Sequence, residues 1–245
     1  MSTPRIRIFA GPNGSGKSTF NRLIPKHLLG RYVNPDDIER NIGSTGYFDF
    51  SSYGIGKHQA EVFEFLRAHP VLNVSATALH KLQRLSIDGN RLNFDKTTID
   101  SYVASALSDF VRRMLIRERI SFTFETVMSS ADKVGLLREA RDAGYRVYVY
   151  YVATADPEIN VRRVAYRVSQ GGHNVAPEKI RTRYFRSLDL LSEAILVSNR
   201  AYVFDNSDEG EGFAQLAEIT DGECIEIKSD IQPPWFDTYV LNKLL

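Results

Sequence analysis

Along the chain the spacing of apolar residues switches repeatedly between a period of two and a period near 3.6, and those switches predict the elements. Arg5–Ala10 (RIRIFA) alternates β-branched residues with arginine and predicts a strand. A glycine-rich turn over 11–16 follows, then an amphipathic pattern that predicts a helix over about 17–29, stopped at Gly30. Residues 31–34 (RYVN) predict a short second strand. Pro35 cannot continue a central strand, which leaves Asp36 and Asp37 in the loop at that strand's C-terminal end. Residues 41–60 are rich in Gly, Ser and aromatics without a clear period. Residues 61–118 are mostly helical in pattern, broken near Pro70 and over 88–96; after the second break Val103, Leu107, Phe110, Val111 and Leu115 share one helical face. Alternation returns at 120–126 (ISFTFET), a strand ending on Glu125. A helix over about 130–143 then leads through Gly144 to a strand at 146–152 (RVYVYYV). Asp156 with Pro157 marks a capped helix start running to about Ser169, and Pro177 opens another helix to about Val197. A strand at 201–205 precedes a hairpin, 213–219 and 224–228, turning at Asp221–Gly222.

Strands separated by helices imply a mainly parallel sheet with helical crossovers, the α/β class. The expected organisation is one domain over residues 1–245, with 41–115 as an inserted, mostly helical subdomain. Composition adds bounds rather than detail. The 245 residues carry 31 Lys plus Arg against 30 Asp plus Glu, a formal charge of +1, which argues against a general nucleic-acid binder. The single Cys224 rules out an internal disulfide and a cysteine-rich metal site, and suits a reducing cytoplasm. No stretch approaches the roughly 20 apolar residues of a membrane span.

The first chemical signal is Gly11-Pro12-Asn13-Gly14-Ser15-Gly16-Lys17-Ser18, a full match to G-x-x-x-x-G-K-[ST] between a predicted strand and a predicted helix. The glycines let successive backbone N–H groups face phosphate oxygens, Lys17 reaches the β- and γ-phosphates, and Ser18 offers a hydroxyl to Mg²⁺. No N-K-x-D guanine motif follows, so the expected nucleotide is ATP. An ATP motor would need an apolar strand ending in an acid, for which AYVFDN with Asp205 is the nearest candidate. A small-molecule kinase needs other parts: a carboxylate to take the acceptor hydroxyl's proton, and arginines to neutralise the transferring group.

Those parts are present. Asp36 is the expected base at the tip of the second strand, with Asp37 as the alternative or as a helix cap. Glu125 ends the third strand, where it serves a substrate hydroxyl or the metal. Arg162, Arg163 and Arg167 on one helix and Arg181 and Arg183 on the next flank the loop with Gly171, Gly172 and His173, either as a phosphate lid or as a solvated face. His173 contacts substrate or shapes that loop. Tyr47, Phe48, Phe50 and Tyr53 form a substrate platform or part of the subdomain core.

Taken together, GPNGSGKST, VNPDDI, SFTFETVMSS, RRVAYRVSQGGHNVAPEKIRTRYFRSL and VFDNS resemble the zeta toxin family of P-loop kinases, over about residues 4–40 and 115–207. The resemblance implies a P-loop NTPase fold, a three-layer α/β/α sandwich. It implies ATP- and Mg²⁺-dependent phosphorylation of the 3′-hydroxyl of UDP-N-acetylglucosamine, and a small antitoxin as partner. Lys17 with Gly11 to Thr19 would hold nucleotide, Ser18 the metal, and Asp36 would be the base. Glu125, Thr126 and His173 would face the acceptor, and Arg167 with Arg181 or Arg183 would neutralise charge. Residues 41–115 depart from the family's substrate region, so a different acceptor (a nucleoside, a nucleotide or a nucleic-acid end) or a non-catalytic nucleotide-dependent regulatory module stands as the alternative.

Overall fold

Strands occupy Arg5–Ala10 (β1), Arg31–Val33 (β2), Tyr47–Asp49 (β3), Ser86–Asp88 (β4), Arg91–Asn93 (β5), Phe122–Thr126 (β6), Arg146–Ala153 (β7), Arg200–Asp205 (β8), Ala214–Thr220 (β9) and Cys224–Ile227 (β10). They come from a computed structural model that describes every residue except 1–2, 74–79, 95–98, 173, 209 and 211. The chain divides into two compact units, one built from Met1–Leu29 and Thr123–Leu245, the other from Gly30–Phe122.

The first unit is layered α/β, as the alternation predicts. Its strands run in the order β10-β9-β8-β7-β1-β6. β1 and β8 both pair parallel with β7, and the β9–β10 hairpin adds antiparallel strands beyond β8. Successive side chains of β7 point to opposite faces, and each face is covered. On one, Phe9, Val152 and Phe204 pack with Phe20 of the helix Lys17–Asn21, and Phe9, Tyr150 and Tyr202 stack in register, each 5.0 Å from the next. On the other, Val147, Val149 and Tyr151 are fully buried, and helices Asp132–Asp142 and Leu191–Val197 pack on β7. Tyr151 keeps its hydroxyl satisfied on Ser187 at 3.0 Å. Each fully buried side chain of this size is worth about 1.5–3 kcal/mol.

Two helices are shorter than the pattern predicts. The segment after the glycine-rich turn is helical over Lys17–Asn21 and Lys26–Leu29, because Pro25 between them lacks an N–H and clashes with a preceding turn. The helix opened by Pro177 runs to Asp189 and a separate one to Val197. Among the described residues no helix is long and apolar enough to cross a membrane.

The second unit contains the 41–115 segment. Asn34, not Asp37, caps its helix Pro35–Thr45, accepting from the Asp36 N–H at 2.9 Å; Asp36 and Asp37 sit in the first turn, where carboxylates favour the helix dipole. β3, β5 and β4 make a three-stranded antiparallel sheet. Strands of three residues are too short to show a period, so the sequence pattern does not announce them. Phe48 and Phe50 are buried, with Tyr53 stacked 5.5 Å from Phe48, which makes the aromatic cluster core. Helix Ser101–Arg117 is capped by Asp100, which also holds Lys81 at 2.6 Å. Buried His58 lies between Glu61 and Glu118, 2.7 Å from each, and Arg117 and Lys57 complete the network. At the neck of the unit the Arg31 N–H donates to the Ser121 carbonyl at 3.0 Å.

Candidate active site

The glycine-rich turn leaves β1 at its C-terminal end and enters the helix Lys17–Asn21. The Lys17 ammonium donates to the Gly11 and Pro12 carbonyls at 2.8 and 2.7 Å. Burial pulls its pKa down to about 8; nearby Glu125 opposes that shift and nearby Arg167 adds to it. The donor set fits an anion with a cation beside it. Among the described residues the buried Ser15 Oγ and Asn13 Oδ1 have no hydrogen-bond partner, leaving polar atoms of the loop unused by the protein. The Ser18 hydroxyl donates to Glu125 Oε2 at 2.7 Å, and Asn21 Nδ2 donates to Glu125 Oε1 at 3.2 Å. A hydroxyl and a carboxylate are the hard oxygen ligands that Mg²⁺ takes from protein when phosphates and water supply the rest. Among the described residues no group of three or more His, Cys, Asp and Glu is clustered for a metal.

Helix Pro157–Ser169 starts at Asp156, whose side chain accepts from the Glu158 N–H at 2.8 Å. It lies against the loop: a Cβ on Gly14 (φ +77) would fall 2.8 Å from the Asn160 carbonyl oxygen, so only glycine permits this approach. Its last turn carries Arg167, whose exposed guanidinium is near enough to Lys17 to act on its ionisation. A Cβ on Gly172 would meet the Arg167 Cγ at 2.7 Å, so the loop folds back over the arginine stem. Arg163 has another task, donating to the Asn206 and Ser207 carbonyls at 2.7 and 3.4 Å.

On helix Pro177–Asp189 the two candidate arginines differ. Arg181 is held by Glu158 at 2.6 and 3.0 Å and by Glu178 at 2.6 Å. Arg183 is half-buried, its pKa lowered by desolvation, and among the described residues it has no ion-pair partner. The Thr126 hydroxyl accepts from the Met128 N–H at 3.0 Å. His173 lies outside the described residues. Both oxygens of Asp205 are occupied, by the Ser207 N–H and the Trp235 indole N–H at 2.8 Å each, so the ATP-motor candidate is a structural residue. Asp36 belongs to the second unit, exposed in the first turn of its helix. Sequence reasoning missed Asn21, Asn160 and Asn206, whose side chains bond the strand-end carboxylate and the loop carbonyls. A lone asparagine carries no spacing signal to find it by.

Comparison with known proteins places the arrangement. The chain is 30% identical over 69 residues to an uncharacterized protein of Haemophilus influenzae, covering 28% of this chain and 49% of that protein, so it spans about half the length of the curated relative it matches. A crystal structure of AvrRxo1-ORF1:AvrRxo1-ORF2 with sulphate ions superposes with a TM-score of 0.54 at 11% identity, over 93% of this chain and 62% of that one. The same pair with ATP gives 0.52 at 11% identity, over 92% and 61%. At that identity the likeness is one of fold. The family model described as Zeta toxin matches residues 91–211, a stretch with Glu125, Arg167, Arg181 and Arg183 but without the phosphate-binding loop. Over those residues the chain is similar to the zeta toxin family.

Proposed function

We propose that this protein is an ATP- and Mg²⁺-dependent kinase of zeta toxin type. It transfers the γ-phosphoryl to a hydroxyl of a sugar nucleotide of the UDP-N-acetylglucosamine kind, and a small antitoxin protein restrains it. The observation that carries the reading is the Ser18–Glu125–Asn21 contact, which sets the loop's metal-seeking hydroxyl against a strand-end carboxylate, beside Lys17. Asp205, engaged on both oxygens, speaks against a motor. The family match supports the toxin part of this reading.

In this mechanism Ser18 and Glu125 would hold Mg²⁺, which would supply positive charge against that of the phosphates. The loop amides bind phosphate oxygens while Lys17 exchanges its two carbonyl partners for them. Asp36 takes the proton from the acceptor hydroxyl; its carboxylate has no ion-pair partner among the described residues, whereas Asp37 is paired with Arg40 at 2.9 Å. Arg167 and Arg183 meet the charge that spreads over the equatorial oxygens in transfer. Arg181, neutralised by two carboxylates, orients helix Pro177–Asp189 against helix Pro157–Ser169 instead.

The test is direct. Purified protein is incubated with ATP, Mg²⁺ and a panel of sugar nucleotides, nucleosides and oligonucleotides, and each acceptor is weighed for the gain of one phosphate. Gain on UDP-N-acetylglucosamine is the expected result; gain on a nucleoside or oligonucleotide alone replaces the acceptor, and no gain anywhere removes the kinase reading.

A further inference from the structure

The phosphate-binding loop is gripped from outside by two asparagines on different elements. Asn160 Nδ2, from helix Pro157–Ser169, donates to the Asn13 carbonyl at 2.6 Å. Asn206 Nδ2, from the end of β8, donates to the Ser15 carbonyl at 2.8 Å. Neither side chain is loose. Asn160 is fully buried and its Oδ1 accepts the Thr154 hydroxyl, which fixes which end of the amide faces the loop. Asn206 is pinned through its backbone, its N–H donating to the Ala153 carbonyl at 2.9 Å and its carbonyl accepting from Arg163 at 2.7 Å.

The consequence follows from peptide geometry. A trans peptide is planar, so the N–H of residue i+1 points opposite to the C=O of residue i. Holding the Asn13 carbonyl therefore orients the Gly14 N–H, and holding the Ser15 carbonyl orients the Gly16 N–H. Both peptides lead into a glycine, the residue whose backbone turns most freely. We propose that Asn160 and Asn206 are positioning residues that lock two peptide planes of the loop, Asn13–Gly14 and Ser15–Gly16, with their amides aimed at the phosphate site before nucleotide arrives. The inference rests on the kinase reading for its purpose, but the lock is a property of the free protein. It also means that helix Pro157–Ser169, which delivers Arg167, is docked on the loop at Asn160 and moves with it.

The experiment is ¹⁵N relaxation on the nucleotide-free protein, with Asn206→Ala, Asn160→Ala and wild type compared, and ATP kinetics on the same samples. In wild type the Gly14 and Gly16 amides are expected to be rigid, with order parameters about 0.85. Asn206→Ala should loosen Gly16 and Asn160→Ala should loosen Gly14, each to below about 0.6, with the amides of β7 unchanged. Site-by-site loosening separates positioning from general damage, and Asn206, only partly buried, serves if Asn160→Ala fails to fold. With the acceptor found above, each variant should raise the KM for ATP about ten- to hundredfold, the cost of an unmade hydrogen bond, and change kcat far less. Unchanged order parameters at Gly16 in folded Asn206→Ala overturn the proposal, as does a kcat loss larger than the KM rise. If wild type binds no ATP, the kinase reading fails while the relaxation data still decide the lock.

Discussion

The lowered pKa of Lys17 makes nucleotide binding pH-dependent in a calculable way. In the free protein burial holds the ammonium at about 8, with two carbonyls as its hydrogen-bond partners. Bound phosphates bring negative charge onto it and restore the ordinary lysine range, so binding above neutrality must take up a proton. With a free pKa of about 8, uptake is about 0.1 proton at pH 7, 0.5 at pH 8 and 0.9 at pH 9. Affinity for ATP should therefore fall about tenfold from pH 7 to pH 9, about 1.4 kcal/mol. The phosphate's own last proton leaves near pH 6, below this window. Calorimetric titration with ATP and Mg²⁺ in buffers of different ionisation enthalpy reads the uptake directly. Lys17→Arg stays charged throughout and should bind with no uptake, even if more weakly. Wild-type binding without uptake at pH 9, or equal uptake by Lys17→Arg, would refute the assignment of this lysine to the phosphates. The same shift has a stability sign. Folding favours neutral Lys17, so the native state carries a penalty at neutral pH that fades as pH rises from about 8 toward 10.5.

Three further outcomes are expected. Glu125→Gln should raise the Mg²⁺ concentration for half-maximal rate about 10–100-fold in a metal titration, since it removes the charge beside Ser18; an unchanged requirement takes Glu125 away from the metal. Asp36→Asn should lower kcat by about 10²–10⁴ with ATP affinity intact, and Asp37→Asn should cost little; the reverse order in steady-state assays names Asp37 as the base. Among the arginines, Arg167→Ala and Arg183→Ala should each lower kcat by about a thousandfold, whereas exposed Arg186→Ala should be silent and Arg181→Ala should show mainly as lost thermal stability.

The layered sheet was legible because its strands alternate cleanly and its helices open with Asp-Pro or Pro, signals that act within a few residues. The loop motif was legible for the same reason: Gly11 to Ser18 is local chemistry at fixed spacing. What escaped was long-range. Glu125 was readable as a strand-end carboxylate, but its choice of Ser18 over a substrate hydroxyl depends on residues 107 positions apart. Arg181 and Arg183 look alike in sequence; only the placement of Glu158 and Glu178 marks Arg181 as the neutralised guanidinium of the two. The Asn34 cap was missed because an acidic pair close by offered the same function two and three residues later. The small sheet of the second unit was missed because its strands are shorter than one alternation can register.

The contact at the neck of the second unit bears on how the chain reaches its fold at all. β1 pairs with β7 across about 140 residues, so the central parallel ladder cannot form until a very long stretch of chain has been closed. Most of that stretch is Gly30–Phe122, and the Arg31–Ser121 hydrogen bond joins its two ends. If this unit collapses first, the search shrinks to the roughly 50 residues outside it, lowering the closure cost by about 1 kcal/mol and speeding the step about fivefold. The insertion then acts as a temporal device, a segment whose early folding brings the two halves of the parallel sheet within reach of each other during synthesis.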